Sequence, residues 1–347
     1  MRGPLLCPCW PRLPLGAGPS HTPPSIPTTR PPGCFDAASC RARPPSLTSS
    51  KAWPATAAYS GLLDATEPRL GAANAVFLRY CTNDAWAGSA PAPLPGFSML
   101  GRPYVSAVLA QLAAAHGLGS APGTRLLFTG CSAGARGALF NTHHVQALLP
   151  SLFPPARLAA FGALYDSAWW MDVAPLSPTA VPFAQQVRDV YALVGAGAPG
   201  YLNPACTAAF PASEGWKCMM GEFATNYTQA DYIAHVYQFD SFQLGEDVGH
   251  TPQTPAELAY ANAFRGSLVA SLQGAVVAPA RAGTRLLAPA CYHHCNTQGA
   301  SFGTATTDGT TLQAEVAGWF FGLPGGAGRY VVERCSGFAC GQGCPKR

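Results

Sequence analysis

An α/β fold with a mainly parallel sheet flanked by helices is the class this sequence predicts, on three observations. Apolar, strand-like runs alternate with helix-compatible stretches from residue 75 to residue 321. One of the intervening turns, Thr129-Gly130-Cys131-Ser132-Ala133-Gly134, is a G-x-S-x-G match. It lies between the apolar run Leu126-Leu127-Phe128 and the helix-compatible stretch Ala135 to Leu149, the strand–turn–helix setting in which that motif has a mechanism. Three strand ends also carry reactive groups, in the chain order Ser132, Asp240, His293/His294.

Taken in order, residues 1–33 are rich in Pro, Ser and Thr and lack periodicity, which predicts a disordered or non-native leader before a folded domain at 34–347. Ala75 to Tyr80 reads as a strand. Gly101 to His116 carries Val105, Val108, Leu109 and Leu112 at i, i+3, i+4, i+7, the spacing of an amphipathic helix, and Gly117 and Gly119 stop it. The strand Arg125–Thr129 leads into the serine turn and its helix. Arg157 to Leu164 reads as a strand running into Asp166, and Pro182 to Tyr191 as a helix. Gly195 to Gly221 is an excursion stapled by Cys206 and Cys218. Tyr232 to Phe239 reads as a strand ending at Asp240. Thr254 is placed to cap a long helix over Ala256–Gln273, with Pro255 opening it. Leu286 to Ala288 is a short strand followed at once by Cys291-Tyr292-His293-His294-Cys295. A last helix covers Thr311–Phe321, and a cysteine-rich tail closes the chain.

Composition bounds the function. The 347 residues are 48% hydrophobic and 11% charged, enough to build a sizeable core. The net charge of +4 comes from scattered basic residues, which argues against nucleic acid as a partner. No run approaches the roughly 18 apolar residues of a membrane-spanning helix. Thirteen cysteines, grouped locally as Cys34/Cys40, Cys206/Cys218, Cys291/Cys295 and Cys335/Cys340/Cys344, predict disulfides and an oxidising compartment. Zinc is the competing reading, weakened by the lack of any C-x2-C pair. An odd count leaves one cysteine free or bonded outside the chain, and Cys131 beside the serine is a candidate. Asn226-Tyr227-Thr228 is a glycosylation sequon. The N-terminus does not read as a signal peptide, although the cysteines imply export.

The chemistry of the three strand ends is that of acyl transfer. A serine hydroxyl is a weak nucleophile, so an imidazole must take its proton during attack and return it to the leaving group. A carboxylate must fix the imidazole's tautomer and stabilise the imidazolium. Ser, then Asp, then His is the order found in α/β-hydrolases. Asp166 remains a rival acid because it too closes a strand, and spacing leaves His293 and His294 undecided. His235, within a strand, reads as a packed side chain. The His-His pair flanked by cysteines also admits a metal-site reading.

Six blocks in order give the chain a family likeness. They are Cys34-Phe35-Asp36-Ala37-Ala38-Ser39-Cys40-Arg41, Leu78-Arg79-Tyr80-Cys81-Thr82-Asn83-Asp84-Ala85-Trp86-Ala87-Gly88, and Gly130-Cys131-Ser132-Ala133-Gly134. Asp166-Ser167-Ala168-Trp169-Trp170-Met171-Asp172, Gln238-Phe239-Asp240-Ser241-Phe242-Gln243 and Cys291-Tyr292-His293-His294-Cys295 complete the set. Together they resemble the pectin acetylesterase family, which includes the Notum-type carboxylesterases. The resemblance covers Gly33 to Cys344 and implies an α/β-hydrolase-like fold with disulfide-stapled loops. It implies Ser132 as nucleophile, Asp240 rather than Asp166 as acid, and His294 rather than His293 as base. It further implies an ester hydrolase working through an acyl-enzyme without metal or organic cofactor.

Because Cys295 follows the histidine, the loop is similar to that of the polysaccharide acetylesterases. The expected substrate is therefore an acetylated cell-wall glycan, and the expected state a secreted monomer. A lipid or protein deacylase and a catalytically impaired glycan-binding relative are the alternatives. The family's oxyanion loop, Gly-Gly-Trp, is replaced here by Arg30-Pro31-Pro32-Gly33-Cys34. Pro32 has no amide hydrogen, which leaves the amides of Gly33 and Ala133 as the expected oxyanion donors.

Overall fold

The computed structural model describes residues 4–9, 34, 37–43, 49–53, 58–195, 201–279, 281–323 and 328–345. Their centre is a seven-stranded sheet of β1 (Pro4–Cys9), β2 (Asn74–Arg79), β3 (Thr124–Cys131), β4 (Leu158–Asp166), β5 (Asp231–His235), β6 (Thr284–Ala288) and β7 (Arg329–Val332). The spatial order is β7-β6-β5-β4-β3-β1-β2, and every pairing is parallel. The α/β class is therefore as the sequence predicts. Parallel strands need crossovers, and these are the helices α1 (Gly101–Ala115), α2 (Ala133–Leu152), α3 (Phe183–Leu193), α4 (Ser241–Val248), α5 (Pro255–Leu272) and α6 (Leu312–Gly322).

A sheet covered on both faces must be apolar on both, and the strands divide accordingly. Leu126, Phe128, Ala163, Tyr165, Tyr232, Ala234, Leu286 and Ala288 face a core shared with α1, α2 and α5. Their neighbours Leu127, Leu164, Ile233 and Leu287 face a second core built on Val316, Trp319 and Phe320 of α6. All four of those neighbours are buried, and full burial of one such side chain stabilises by about 1.5–3 kcal/mol. On the second face α6 packs close: a Cβ on Gly162 would come within 2.7 Å of the Trp319 ring. Helix α5 begins where its capping signal predicts, with Thr254 Oγ1 accepting from Glu257 N at 3.3 Å and the Glu257 carboxylate accepting from Thr254 N at 3.0 Å.

Three readings change. Residues 1–33 were expected to lie outside the folded domain, yet Pro4–Cys9 runs as β1 between β2 and β3. Two prolines in six residues demote a strand reading, and only long-range pairing identifies the segment. The strand expected over Tyr232–Phe239 stops at His235. Residues 236–238 continue beside 287–289 through Val236 N to Leu287 O and Gln238 N to Pro289 O, both 2.9 Å.

The cysteine grouping holds for Cys34–Cys40 and Cys206–Cys218 but not for the histidine loop. There Cys291 bonds Cys344 and Cys295 bonds Cys131, while Cys335 bonds Cys340. Cys131 is thus not free, whereas Cys81 is. Sequence proximity predicts pairing only where the backbone turns back locally; here β3 and the 291–295 loop meet through the sheet.

Candidate active site

Register builds the floor of the site. Cys131 pairs with Asp166, Asp166 with His235, and His235 with Leu287, forming one row across the carboxyl ends of β3, β4, β5 and β6. Ligands bind beyond such an edge. Ser132 stands just past the row at φ 56°, ψ −123°, as the N-cap of α2. A non-glycine residue at positive φ is strained. Here the conformation is held by Ser132 N donating to Asp166 O at 2.9 Å and by Ser132 O accepting from Arg136 N at 2.9 Å. The amide of Ala133, the first residue of α2, has no acceptor within its own helix. It is available to a developing negative charge beside Ser132. Gly33, the other expected donor, lies outside the described residues.

Asp240 and His294 meet through a two-residue parallel pairing in which Tyr292 lies opposite Phe239 and His293 opposite Asp240. Successive residues of an extended chain face opposite ways, and this separates the histidines. The His293 ring packs edge-on to Tyr237 at 5.2 Å. His294 Nδ1 lies 2.7 Å from Asp240 Oδ2. The other carboxylate oxygen, Oδ1, accepts from Phe242 N and Gln243 N at 3.0 and 2.9 Å, capping α4. Both oxygens are engaged, so the carboxylate is fixed in direction. His294 Nε2 is covered and has no hydrogen-bond partner among the described residues. Burial pulls the imidazole down, but the charge and hydrogen bond of Asp240, with the charge of Asp166, overcome it, and the ring sits above its ordinary value. The side chain is 16% exposed.

Asp166, the rival acid, does not reach His294 but holds its loop. It is fully buried; Oδ1 takes His235 Nδ1 at 2.9 Å. Oδ2 accepts from Asn296 N, Thr297 N and Thr297 Oγ1 at 2.7, 2.7 and 2.8 Å. The neighbouring Ser167 Oγ accepts from Cys295 N at 3.1 Å. Burial pushes the Asp166 carboxyl up, but the hydrogen bond and charge of His235, followed by the Thr297 donors, hold it below the usual range. His235 is buried as expected, though as a hydrogen-bond partner of Asp166 rather than as simple packing.

A second buried carboxylate shapes the loop after β2. Asp84 accepts from Thr82 Oγ1 and from the amides of Trp86, Gly88 and Gly101, the last three at 2.9, 3.0 and 2.8 Å. Burial pushes it up to about 6 against those donors. Asn83, Ala85 and Trp86 all take positive φ around it. The loop presses on α2, where a Cβ on Gly137 would lie 2.8 Å from the Trp86 ring, and Asn141 Nδ2 donates to Trp86 O at 2.8 Å. Sequence reasoning assigned no role to Asp84, Ser167 or the Cys131–Cys295 bond. The only signal was their place inside the recognisable blocks.

Beside His294 stands an aromatic wall. Phe242 lies 5.3 Å from the His294 ring, Trp170 5.8 Å from Phe242 and Phe183 4.9 Å from Trp170. Arg136, one turn along α2 from Ser132, lays its guanidinium 4.1 Å over Trp170. It is 7% exposed, and Nε and Nη2 have no partner among the described residues. Burial pulls it down to about 10, still charged at neutral pH. The sulfurs of Cys131 and Cys295 and a ring nitrogen of His294 lie within 4.8 Å of one another, but the bonded sulfurs offer no thiolate to a metal. A groove of about 1460 Å³ lies elsewhere, lined by Gln238, Arg265, Tyr330 and Glu333 among others. Within it Arg265 donates to Gln238 and to the Cys335 carbonyl, and Glu333 accepts from the amides of Ala290 and Gln342.

Comparison with known proteins follows the same lines. A family model described as pectinacetylesterase matches residues 32–345. Palmitoleoyl-protein carboxylesterase NOTUM of Drosophila melanogaster is 30% identical over 272 residues, 75% of this chain and 38% of that protein. Pectin acetylesterase 11 of Arabidopsis thaliana is 24% identical over 344 residues, 90% of this chain and 81% of that protein. A solved structure of the Wnt deacylase Notum from Drosophila superposes with a TM-score of 0.82 at 25% identity, covering 99% of this chain and 92% of that one. The chain spans between 38% and 46% of the length of the animal relatives it matches.

Proposed function

The chain belongs to the pectinacetylesterase family, and from that premise we propose that it is a serine carboxylesterase removing acetyl groups from a pectin-like, acidic polysaccharide. Ser132 Oγ attacks the ester carbonyl while His294 Nε2 takes its proton. Asp240 holds Nδ1–H and stabilises the imidazolium. The carbonyl oxygen, now negative, is met by the amide of Ala133 and, on this reading, of Gly33. His294 returns the proton to the departing sugar oxygen, leaving acetyl on Ser132. Water then attacks, with His294 again as base, and acetate leaves. Each step moves only protons and an acyl group, so no cofactor or metal enters. One observation carries the reading: an imidazole fixed by a doubly anchored carboxylate at 2.7 Å, with its far nitrogen unpartnered, beside the strand end that presents Ser132.

The unpaired guanidinium of Arg136 supports an acidic carrier. A buried cation with unspent donors is costly, and a substrate carboxylate, such as that of a uronic acid, would compensate it. The aromatic wall of Trp170, Phe183 and Phe242 favours the second reading, a deacylase for longer apolar acyl groups. Nitrophenyl esters of increasing chain length separate the two: a rate highest at acetyl supports the first, a rate rising to long chains the second. Ser132→Ala is expected to abolish nitrophenyl acetate hydrolysis and fluorophosphonate labelling; retained hydrolysis overturns both. The proposed catalytic domain is residues 34–347, its sheet completed by β1. Five disulfides among the described residues support an oxidising, extracellular location. No helix among them is long and apolar enough to cross a membrane.

A further inference from the structure

We propose that the Cys131–Cys295 disulfide is a positioning device for the reaction, setting Ser132 against His294, and that a dithiol reductant switches the enzyme down by opening it. The inference rests on the roles proposed for those two residues. Each sulfur belongs to a residue adjacent in sequence to one of them, with Cys131 before Ser132 and Cys295 after His294. The bond closes a span of 164 residues with its Cα atoms 5.7 Å apart. It is also in the site itself, since both sulfurs lie within 4.8 Å of a ring nitrogen of His294.

Strained backbone lies at one end of the bond and next to the other. Ser132 takes φ 56° and Cys295 φ 66°, the left-handed region that non-glycine residues adopt only when their surroundings over-determine them. At Ser132 the surroundings are the Asp166 carbonyl and the first turn of α2. At Cys295 they are the Ser167 hydroxyl on its amide and the bond to Cys131. Asp166 and Ser167 fix the amides of residues 295–297, but those hydrogen bonds hold the loop to β4. The disulfide is the covalent link between the nucleophile's strand and the base's loop. Without it the histidine loop is tied to Asp240 and to β4, and it reaches Ser132 only through hydrogen bonds to Asp166, whose carboxylate holds the loop and whose carbonyl holds the Ser132 amide. Opening it balances simply: the dithiol gives two electrons and two protons, the S–S bond becomes two S–H groups, and the reductant leaves as its own cyclic disulfide.

The test compares the full chain with Cys131→Ser/Cys295→Ser, using Cys206→Ser/Cys218→Ser, which opens a bridge away from the site, as control. Near-ultraviolet circular dichroism checks folding. Nitrophenyl acetate hydrolysis and the rate at which a fluorophosphonate labels Ser132 are the readouts. A misplacement near 1 Å costs about a hundredfold in rate. The site double variant is therefore expected to lose about ten- to a hundredfold in kcat with KM within about twofold, and labelling is expected to slow in parallel. The control is expected to keep its kcat. Where the site variant does not fold, graded dithiothreitol on the native chain, with the opened bridge identified by mass spectrometry, gives the same comparison. Activity must then fall with the Cys131–Cys295 bond and return on reoxidation. A folded protein lacking this bond with kcat within twofold of the parent overturns the proposal. Equal losses in the control overturn it too, since they mark general loosening. If Ser132→Ala still hydrolyses the ester, the underlying reading has failed and the proposal falls with it. If only Ser132→Ala is inactive, the reading stands and the clamp alone is refuted.

Discussion

Replacing Asp240 by Asn isolates the carboxylate's charge from its structural duty. Oδ1 accepts from Phe242 N and Gln243 N and caps α4, and Asn, itself a favoured cap, keeps those bonds. Folding stability is therefore expected to change by less than about 1 kcal/mol. Oδ2, 2.7 Å from His294 Nδ1, becomes an amide NH₂ that donates instead of accepting. The ring must then present Nδ1 as acceptor and carry its proton on Nε2, the nitrogen that has to receive the proton of Ser132. The equivalent change in a Ser-His-Asp triad costs about 10⁴ in kcat, which is about 5.5 kcal/mol at 1.36 kcal/mol per tenfold. Steady-state hydrolysis of nitrophenyl acetate, with the melting temperature measured in parallel, reads both. A folded Asp240→Asn protein retaining more than a tenth of parental kcat would refute the assignment of Asp240 as the acid. An Asp166→Asn protein losing activity with no loss of stability would point back to the rival.

Further outcomes follow from the same geometry. The base must be neutral to act, and His294 sits above its ordinary value, so kcat/KM is expected to rise with pH through a midpoint above about 6.5, measurable as a pH–rate profile. His294 also gives stability that is full below its unfolded value and lost as pH rises through the folded one. Asp247, buried at the end of α4, has its carboxyl pushed up to about 7, chiefly by burial. The Tyr260 hydroxyl lies 3.0 Å from both Asp247 Oδ2 and Ala174 O. With one hydrogen it cannot donate to both, so a protonated Asp247 satisfies all three groups. A raised carboxyl gives stability present below about 3.9 and lost as pH rises through about 7. Asp247→Asn, which keeps a donor there, is expected to recover up to roughly 4 kcal/mol above pH 7 by denaturant titration. Arg136→Leu is expected to leave nitrophenyl acetate turnover within about threefold and stability unreduced, because it removes an unpaired buried cation. It is expected to cost about ten- to a hundredfold in kcat/KM on acetylated polygalacturonate, the worth of one charged hydrogen-bond set. Equal losses on both substrates would remove Arg136 from carrier recognition.

What the sequence determined by itself is what short-range physics encodes. The alternation of strand and helix gave the parallel sheet. The small residues around Ser132 marked a tight turn between strand and helix, and Thr254-Pro255 fixed the start of a long helix. Periodicity and capping act over a few residues, so these features are written locally. The choice of Asp240 and His294 needed the likeness of whole blocks, because spacing alone left Asp166 and His293 open. In the structure the Phe239–Asp240 and Tyr292–His293 pairing turns His293 toward Tyr237 and His294 toward the Asp240 carboxylate.

Only the tertiary structure decided the rest. That Asp166 holds the histidine loop while its carbonyl holds Ser132 depends on the register that sets Cys131, Asp166 and His235 in one row. That Cys131 meets Cys295 rather than Cys295 meeting Cys291 depends on the same edge of the sheet. Residues separated by more than a hundred positions leave no periodic trace of one another. Their partnership is fixed when strand order and register close the sheet, and it is there that Ser132, His294 and the Cys131–Cys295 bond come to one edge.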